Sequence, residues 1–155
     1  MKKSVLFSAF FGLCLLGLSG NVSAQSYRTG AGVFVDFGDG RTYAGPHIKH
    51  FFSAQNAGQA MVLFADNRTL IGAEYSYNDQ IRGADGLSWF VGIGPQAVIR
   101  RKDSYFVIRP AVGLEFKIPG APLATSMDWR PMWALNDGSD FVPGRFGFAF
   151  KFTFR

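Results

Sequence analysis

The last eleven residues read Arg145-Phe146-Gly147-Phe148-Ala149-Phe150-Lys151-Phe152-Thr153-Phe154-Arg155. Every second residue is Phe. The residues between them are small or basic, apart from one threonine. A helix would scatter the phenylalanines around its circumference. A strand points successive side chains to opposite faces, so all five fall on one side. This stretch is therefore a strand with one wholly aromatic face and one small or charged face.

The same period of two recurs upstream. Phe106, Ile108, Pro110, Val112, Leu114, Phe116 and Ile118 alternate with Tyr105, Val107, Arg109, Ala111, Gly113, Glu115 and Lys117. Leu123, Thr125, Met127, Trp129, Pro131, Trp133 and Leu135 alternate with Ala124, Ser126, Asp128, Arg130 and Met132. Ile71, Ala73, Tyr75 and Tyr77 oppose Gly72, Glu74, Ser76 and Asn78. A weaker case sets Val33, Val35 and Phe37 against Phe34 and Asp36.

Turn residues punctuate these runs at Gly38-Asp39-Gly40, Ala54-Gln55-Asn56, Asp66-Asn67-Arg68, Asn78 to Gly86, Lys102-Asp103, Pro119 to Pro122 and Asn136 to Gly144. Seven connections imply eight strands. The pattern predicts them near 27–37, 42–53, 58–65, 69–78, 87–100, 104–118, 122–135 and 144–155. The connections have hairpin length. The fold expected is all-β, an eight-stranded antiparallel up-and-down transmembrane barrel.

The 155 residues open differently. Met1-Lys2-Lys3 is basic, Val5 to Leu18 is uncharged and apolar, and Val22-Ser23-Ala24 ends in the small residues of a cleavage site. This is the three-part pattern of a secretory signal peptide, predicted as residues 1–24, with the barrel domain over 25–155. The apolar stretch is too short for a spanning helix. Cys14, the one cysteine, leaves with it, so neither a disulfide framework nor a thiolate metal site is expected. Loss of Lys2 and Lys3 lowers the formal net charge from +5 to +3. The remaining bases are scattered, apart from Arg100-Arg101-Lys102. That run reads as a turn or a lipid-headgroup contact, and no nucleic-acid partner is expected.

Which face looks inward decides the class. A soluble barrel turns its apolar face in, whereas a membrane barrel gives that face to lipid and encloses the polar one. Three features favour inversion. The polar parity is rich in small residues (Gly72, Ala111, Gly113, Ala124, Gly147, Ala149), which suit the crowded inside of an eight-strand barrel. The apolar faces are deep enough to cross the hydrocarbon. The polar-parity charges come in both signs and can neutralise one another. The expected interior network is Asp36, Lys49, Glu74, Arg109, Glu115, Lys117, Asp128, Arg130, Arg145 and Lys151. The expected lipid-facing set is Phe146, Phe148, Phe150, Phe152 and Phe154. Tyr43, Tyr75, Tyr77, Trp129 and Trp133 are candidates for aromatic girdles at the two boundaries.

Candidate chemistry is sparse. His47 and His50 fall on opposite faces of a strand and cannot share a metal. Ser126 and Asp128 share a face and could in principle join His47 as a hydrolytic triad, but no nucleophile elbow accompanies them. Gly92-Ile93-Gly94 lies in a strand with no following helix, which excludes a phosphate loop. Asn67-Arg68-Thr69 fits a glycosylation sequon and carries no weight in a chain of bacterial type. The sequence argues against an enzyme and calls for no cofactor or metal.

Ile48-Lys49-His50-Phe51-Phe52, Gly113-Leu114-Glu115-Phe116-Lys117, and Pro122-Leu123 through Met127-Asp128-Trp129-Arg130-Pro131 resemble a family of small outer-membrane β-barrel proteins of Gram-negative bacteria. The resemblance covers most of the chain after the signal peptide. It implies a monomer in the cell outer membrane, with outer-membrane lipid and the insertion machinery as its partners. Such proteins usually end in an aromatic residue that the insertion machinery reads, and here Arg155 follows Phe154. The expected role is structural or one of surface interaction. The alternatives are a soluble periplasmic barrel binding a small apolar ligand and a membrane-embedded lipid-modifying enzyme.

Overall fold

A computed structural model describes residues 27–136 and 140–155. The predicted signal peptide lies outside the described residues. Ten strand segments follow in order: β1 (Thr29–Gly38), β2 (Arg41–Phe51), β3 (Asn56–Ala65), β4 (Arg68–Gln80), β5 (Leu87–Arg100), β6 (Ser104–Lys117), β7 (Leu123–Trp129), β8 (Met132–Ala134), β9 (Phe141–Val142) and β10 (Arg145–Phe154). The segments β7 and β8 both pair with β6, so they are two parts of one barrel strand. The short β9 leads into β10 as the last strand. Each strand pairs antiparallel with its neighbour, and β1 closes on β10 with Gly32 opposite Lys151 and Asp36 opposite Gly147. The result is a closed eight-stranded up-and-down barrel with no free edge.

Carrying the registers once around the barrel shifts the chain by about 10 residues along the strands, which puts the tilt near the top of the roughly 35–45° range usual for barrels. Tyr27, the first described residue, and Arg155 lie at one rim with the connections 52–55, 81–86 and 118–122. The other rim carries 39–40, 66–67, 101–103, 135–136 and 140. At that rim the two residues joining β1 to β2 both have positive φ, Asp39 at 49° and Gly40 at 72°. This is the turn whose twist matches a two-residue hairpin, and Asp-Gly supplies it at low cost.

The period of two sorts the side chains as an inverted barrel. Along β10, Arg145, Gly147, Ala149, Lys151 and Thr153 are buried, while Phe146, Phe150, Phe152 and Phe154 are exposed and Phe148 is half-buried. The outer surface is an unbroken apolar band that includes Val33, Ile71, Val91, Ile93, Phe106 and Leu114, each at least 45% exposed.

Two expectations need correction. Tyr43 is buried, so it belongs to the interior and not to a girdle. Its ring lies 5.3 Å from the Arg145 guanidinium. Pro131, expected on the outer parity, is also buried, between Arg130 and Met132. Proline has no N–H to give the ladder, so the strand breaks there and the chain dips inward before Trp133 resumes the outward parity.

Candidate functional site: the charged lumen

The lumen is filled by side chains from every strand. Its buried charges are four carboxylates (Asp36, Glu74, Glu115, Asp128) and five bases (Lys49, Arg109, Arg130, Arg145, Lys151). They sort into three clusters, each built on one central group with two partners of opposite sign.

Nearest the rim of Tyr27 and Arg155, Glu115 is the centre. Its Oε2 accepts from Lys49 Nζ at 3.0 Å and from Lys151 Nζ, and its Oε1 accepts from the Tyr27 hydroxyl at 2.7 Å. Lys49 also donates to Asn78 Oδ1 at 2.7 Å. In the middle, Arg130 is the centre. Its Nε and Nη2 grip Asp128 in a two-point contact, and its Nη1 donates to Glu74 Oε2 at 3.2 Å. The guanidinium lies over the Phe34 ring, 4.4 Å from its centroid. Towards the opposite rim, Asp36 is the centre. Its Oδ1 accepts from Arg145 Nη2 at 2.8 Å and Nε at 3.0 Å, and its Oδ2 accepts from Arg109 Nη1.

The clusters are tied together. Arg109 Nη2 donates to the Arg130 carbonyl at 2.7 Å. That carbonyl is free because the strand breaks at Pro131. Gln59 donates to Glu74 and accepts from His47 Nε2 at 2.9 Å. Since Gln59 Oε1 can only accept, His47 carries its proton on Nε2. Two clusters are base–acid–base and one is acid–base–acid, which leaves one positive charge in excess. Towards the rim nearest Asp36, the inner side formed by β3 to β6 turns apolar, with Leu63, Leu70, Val98 and Val107 fully buried. A cavity of about 290 Å³ opens at the rim near Tyr27, lined by Tyr27, Gln55, Asn78 and Ser88 among others.

Nine of the ten expected network residues lie in this interior. Lys117 departs from them. It is half-buried at the end of β6, and its Nζ donates to the carbonyls of Ile118 and Ala121. Its parity points inward, but the strand ends there and the next turn offers nearer acceptors. His47 faces in and His50 faces out, where its Nδ1 lies 2.9 Å from Thr29 Oγ1. The candidate triad does not assemble, because His47 binds Gln59 and Asp128 is held by Arg130. Tyr75 and Tyr77 lie on the outer face with Trp89 near the rim of Tyr27. Trp129 and Trp133 lie on it with Phe141 towards the other.

Sequence reasoning missed Tyr27, Phe34, Gln59 and Gln96 as lumen residues. Phe34 shares the parity of Asp36 and Gln96 that of Arg100, so both could have been read that way, whereas the strand of Gln59 carries no charge to mark its inner face. Tyr27 could not. Its odd number places it with Val33 on the outer face, but it precedes β1 and turns in across the mouth, packing edge-on against Phe51 at 5.3 Å.

Room for this network comes from glycine. A β-carbon at Gly147 would collide with Phe34 Cζ and lie 2.7 Å from both Arg130 Nε and Asp128 Oδ1. Gly147→Ala should therefore lower stability by about 1–3 kcal/mol through overpacking. The temperature at which the folded gel band disappears should fall. Gly144→Ala, where nothing lies within 4 Å of the added carbon, is the matched control and should leave it unchanged.

Among solved structures, the fold is similar to the N-terminal β-barrel domain of Pseudomonas aeruginosa OprF, with a TM-score of 0.64 at 13% sequence identity. The match covers 82% of this chain and the whole of that domain. At that identity the likeness is one of fold. No family profile matches the sequence. No curated protein matches it either.

Proposed function

We propose that the chain is an integral outer-membrane barrel, exported by its signal peptide, whose interior is a structural spine and whose role is structural or one of surface interaction. The observation that carries this reading is the inversion of polarity. Nine acidic and basic side chains (four carboxylates, two lysines and three arginines) are buried inside, while Phe106, Phe152, Phe154 and their neighbours stand exposed outside. In water this arrangement would forgo roughly 1.5–3 kcal/mol for each large apolar side chain left uncovered. In a bilayer the same band is matched to its solvent, and closure of the ladder satisfies the backbone. A soluble ligand-binding barrel needs the reverse packing, with an apolar cavity inside. The fold likeness to an OprF domain and the aromatic residues near both rims agree with the membrane reading.

The spine reading follows from the packing. Arg109 and Arg130 are fully buried at mid-lumen, and beyond them Leu63, Leu70, Val98 and Val107 fill the inner side formed by β3 to β6. Eight strands leave an interior that side chains can fill, and here they fill it. Fractionation tests the proposal. The protein should require detergent for extraction and should run as a compact band in SDS until boiled. Recovery in the osmotic-shock fraction, with no heat-dependent shift, would refute the assignment.

A further inference from the structure

The rim opposite Tyr27 and Arg155 carries five bases that pair with no lumen carboxylate, beside the exposed turn carboxylates Asp39, Asp66, Asp103 and Asp140. Arg68 opens β4 and Arg100 ends β5, and the two lie directly opposite each other in the register. Like charges in opposed positions destabilise a strand pair. Both share the inward parity of Leu70 and Val98, the residues just below them, so they stand over the barrel mouth. Arg41 begins β2 on the same rim, and Arg101 and Lys102 are exposed in the turn that follows Arg100.

The lumen carboxylates are taken up by their own bases, and on β4 and β5 the next inward residues below Arg68 and Arg100 are the apolar Leu70 and Val98. Among the described residues the one ion pair at this rim is Arg100 with Asp103, at 3.8 Å, and that carboxylate is 62% exposed. Arg100 is held in place meanwhile. Its guanidinium lies 4.7 Å from the Tyr105 ring centroid, and its Nη2 donates to the Tyr105 hydroxyl at 3.2 Å. On the outer face the apolar band reaches this level, with Ile99 42% and Phe64 55% exposed. The charge therefore sits where an apolar surface gives way to water.

We propose that Arg68, Arg100, Arg101 and Lys102, with Arg41, form a binding site for the phosphate-bearing headgroup of an anionic membrane lipid. The site rests on the membrane-barrel reading above. A phosphate offers several acceptor oxygens and negative charge to a planar guanidinium fork, and it converts the opposed Arg68 and Arg100 from a repulsive pair into two arms of a clamp. A lipid is favoured over a free anion because the site adjoins the apolar band, and basic residues at that depth draw anionic headgroups.

The test uses the full chain folded into vesicles of phosphatidylcholine, with or without a minor fraction of phosphatidic acid. The readout is the temperature at which the folded gel band is lost. Phosphatidic acid should raise it by several degrees, and the rise should fade with salt. The double variant Arg68→Gln/Arg100→Gln should lose that rise. In phosphatidylcholine alone it should still fold, so the rise is read against its own baseline there. Arg82→Gln, in a loop of the opposite rim, should keep the rise. No rise in wild type, or an equal rise in the double variant, would overturn the proposal. So would a rise reproduced by inorganic phosphate, which would assign the site to a free anion. A chain that fails to insert into phosphatidylcholine vesicles at all would instead refute the membrane reading, a result distinct from any of these.

Discussion

Phe150→Arg is expected to cost about 2–4 kcal/mol and to stop most of the chain from assembling in a bilayer. Phe150 lies midway along β10, opposite Val33 on one side and Thr125 on the other, and its side chain is 43% exposed on the apolar band. At that depth neither boundary is close enough for the guanidinium to reach. Its neighbour Lys151 has the opposite surroundings. It is buried, flanked in register by Gly32 and Ala124, and bonded to Glu115. Lys151→Phe should therefore fail for another reason, by overfilling the lumen at about 1–3 kcal/mol and by removing one of the two bases on Glu115. Chemical access separates the two faces. In a Cys14→Ser background, cysteine at position 150 should react with a lipid-phase probe and cysteine at 151 should not. If position 151 reacts readily with a water-soluble maleimide while position 150 is protected, the barrel is not in a membrane.

These two positions also show why so much of the fold was legible in the sequence. A strand has a period of exactly two residues in side-chain direction, and lipid outside with charge inside makes the two parities chemically opposite. Residues 145–155 therefore declare both their secondary structure and their orientation. The predicted spans fall within a few residues of the observed ones because Gly38-Asp39-Gly40 and Pro119 to Pro122 leave the chain little choice of turn. Legibility fails where the period fails. Pro131 breaks the seventh strand, so three successive residues are buried where alternation expects the middle one outside. Tyr27 lies before the first strand, and parity has no authority there. Tyr43 was misplaced because an aromatic residue near a strand end suits either face. Pairing within the lumen was also beyond the sequence. Parity says that Glu115, Lys49 and Lys151 point inward, but only the closed register brings β2, β6 and β10 to bear on a single carboxylate.

That three-cluster arrangement leads to a graded expectation: Arg130→Met should destabilise the barrel far more than Asp128→Asn. Arg130 is the one base shared by Glu74 and Asp128, and it is fully buried. Removing it leaves two carboxylates unpaired in the same enclosed space, with the nearby Phe34 ring losing its cation as well. Breaking one buried pair in this way costs about 3–5 kcal/mol, and here two contacts are lost together. Asp128→Asn leaves Arg130 bonded to Glu74 and keeps an amide oxygen for the guanidinium, so its cost should be the smaller. The triple variant Arg130→Met/Glu74→Gln/Asp128→Asn should recover much of the loss, since neutral amides need no counter-charge and replacing a whole buried ionic set is often close to neutral. Unfolding in urea, read from the heat-modifiable band, ranks the three. If Arg130→Met is no worse than Asp128→Asn, the carboxylates reach enough water to do without their base. The lumen would then be a hydrated path and not a packed spine. If the triple variant is as unstable as Arg130→Met alone, the fault lies in lost volume and the attraction between the charges is not what holds the clusters together.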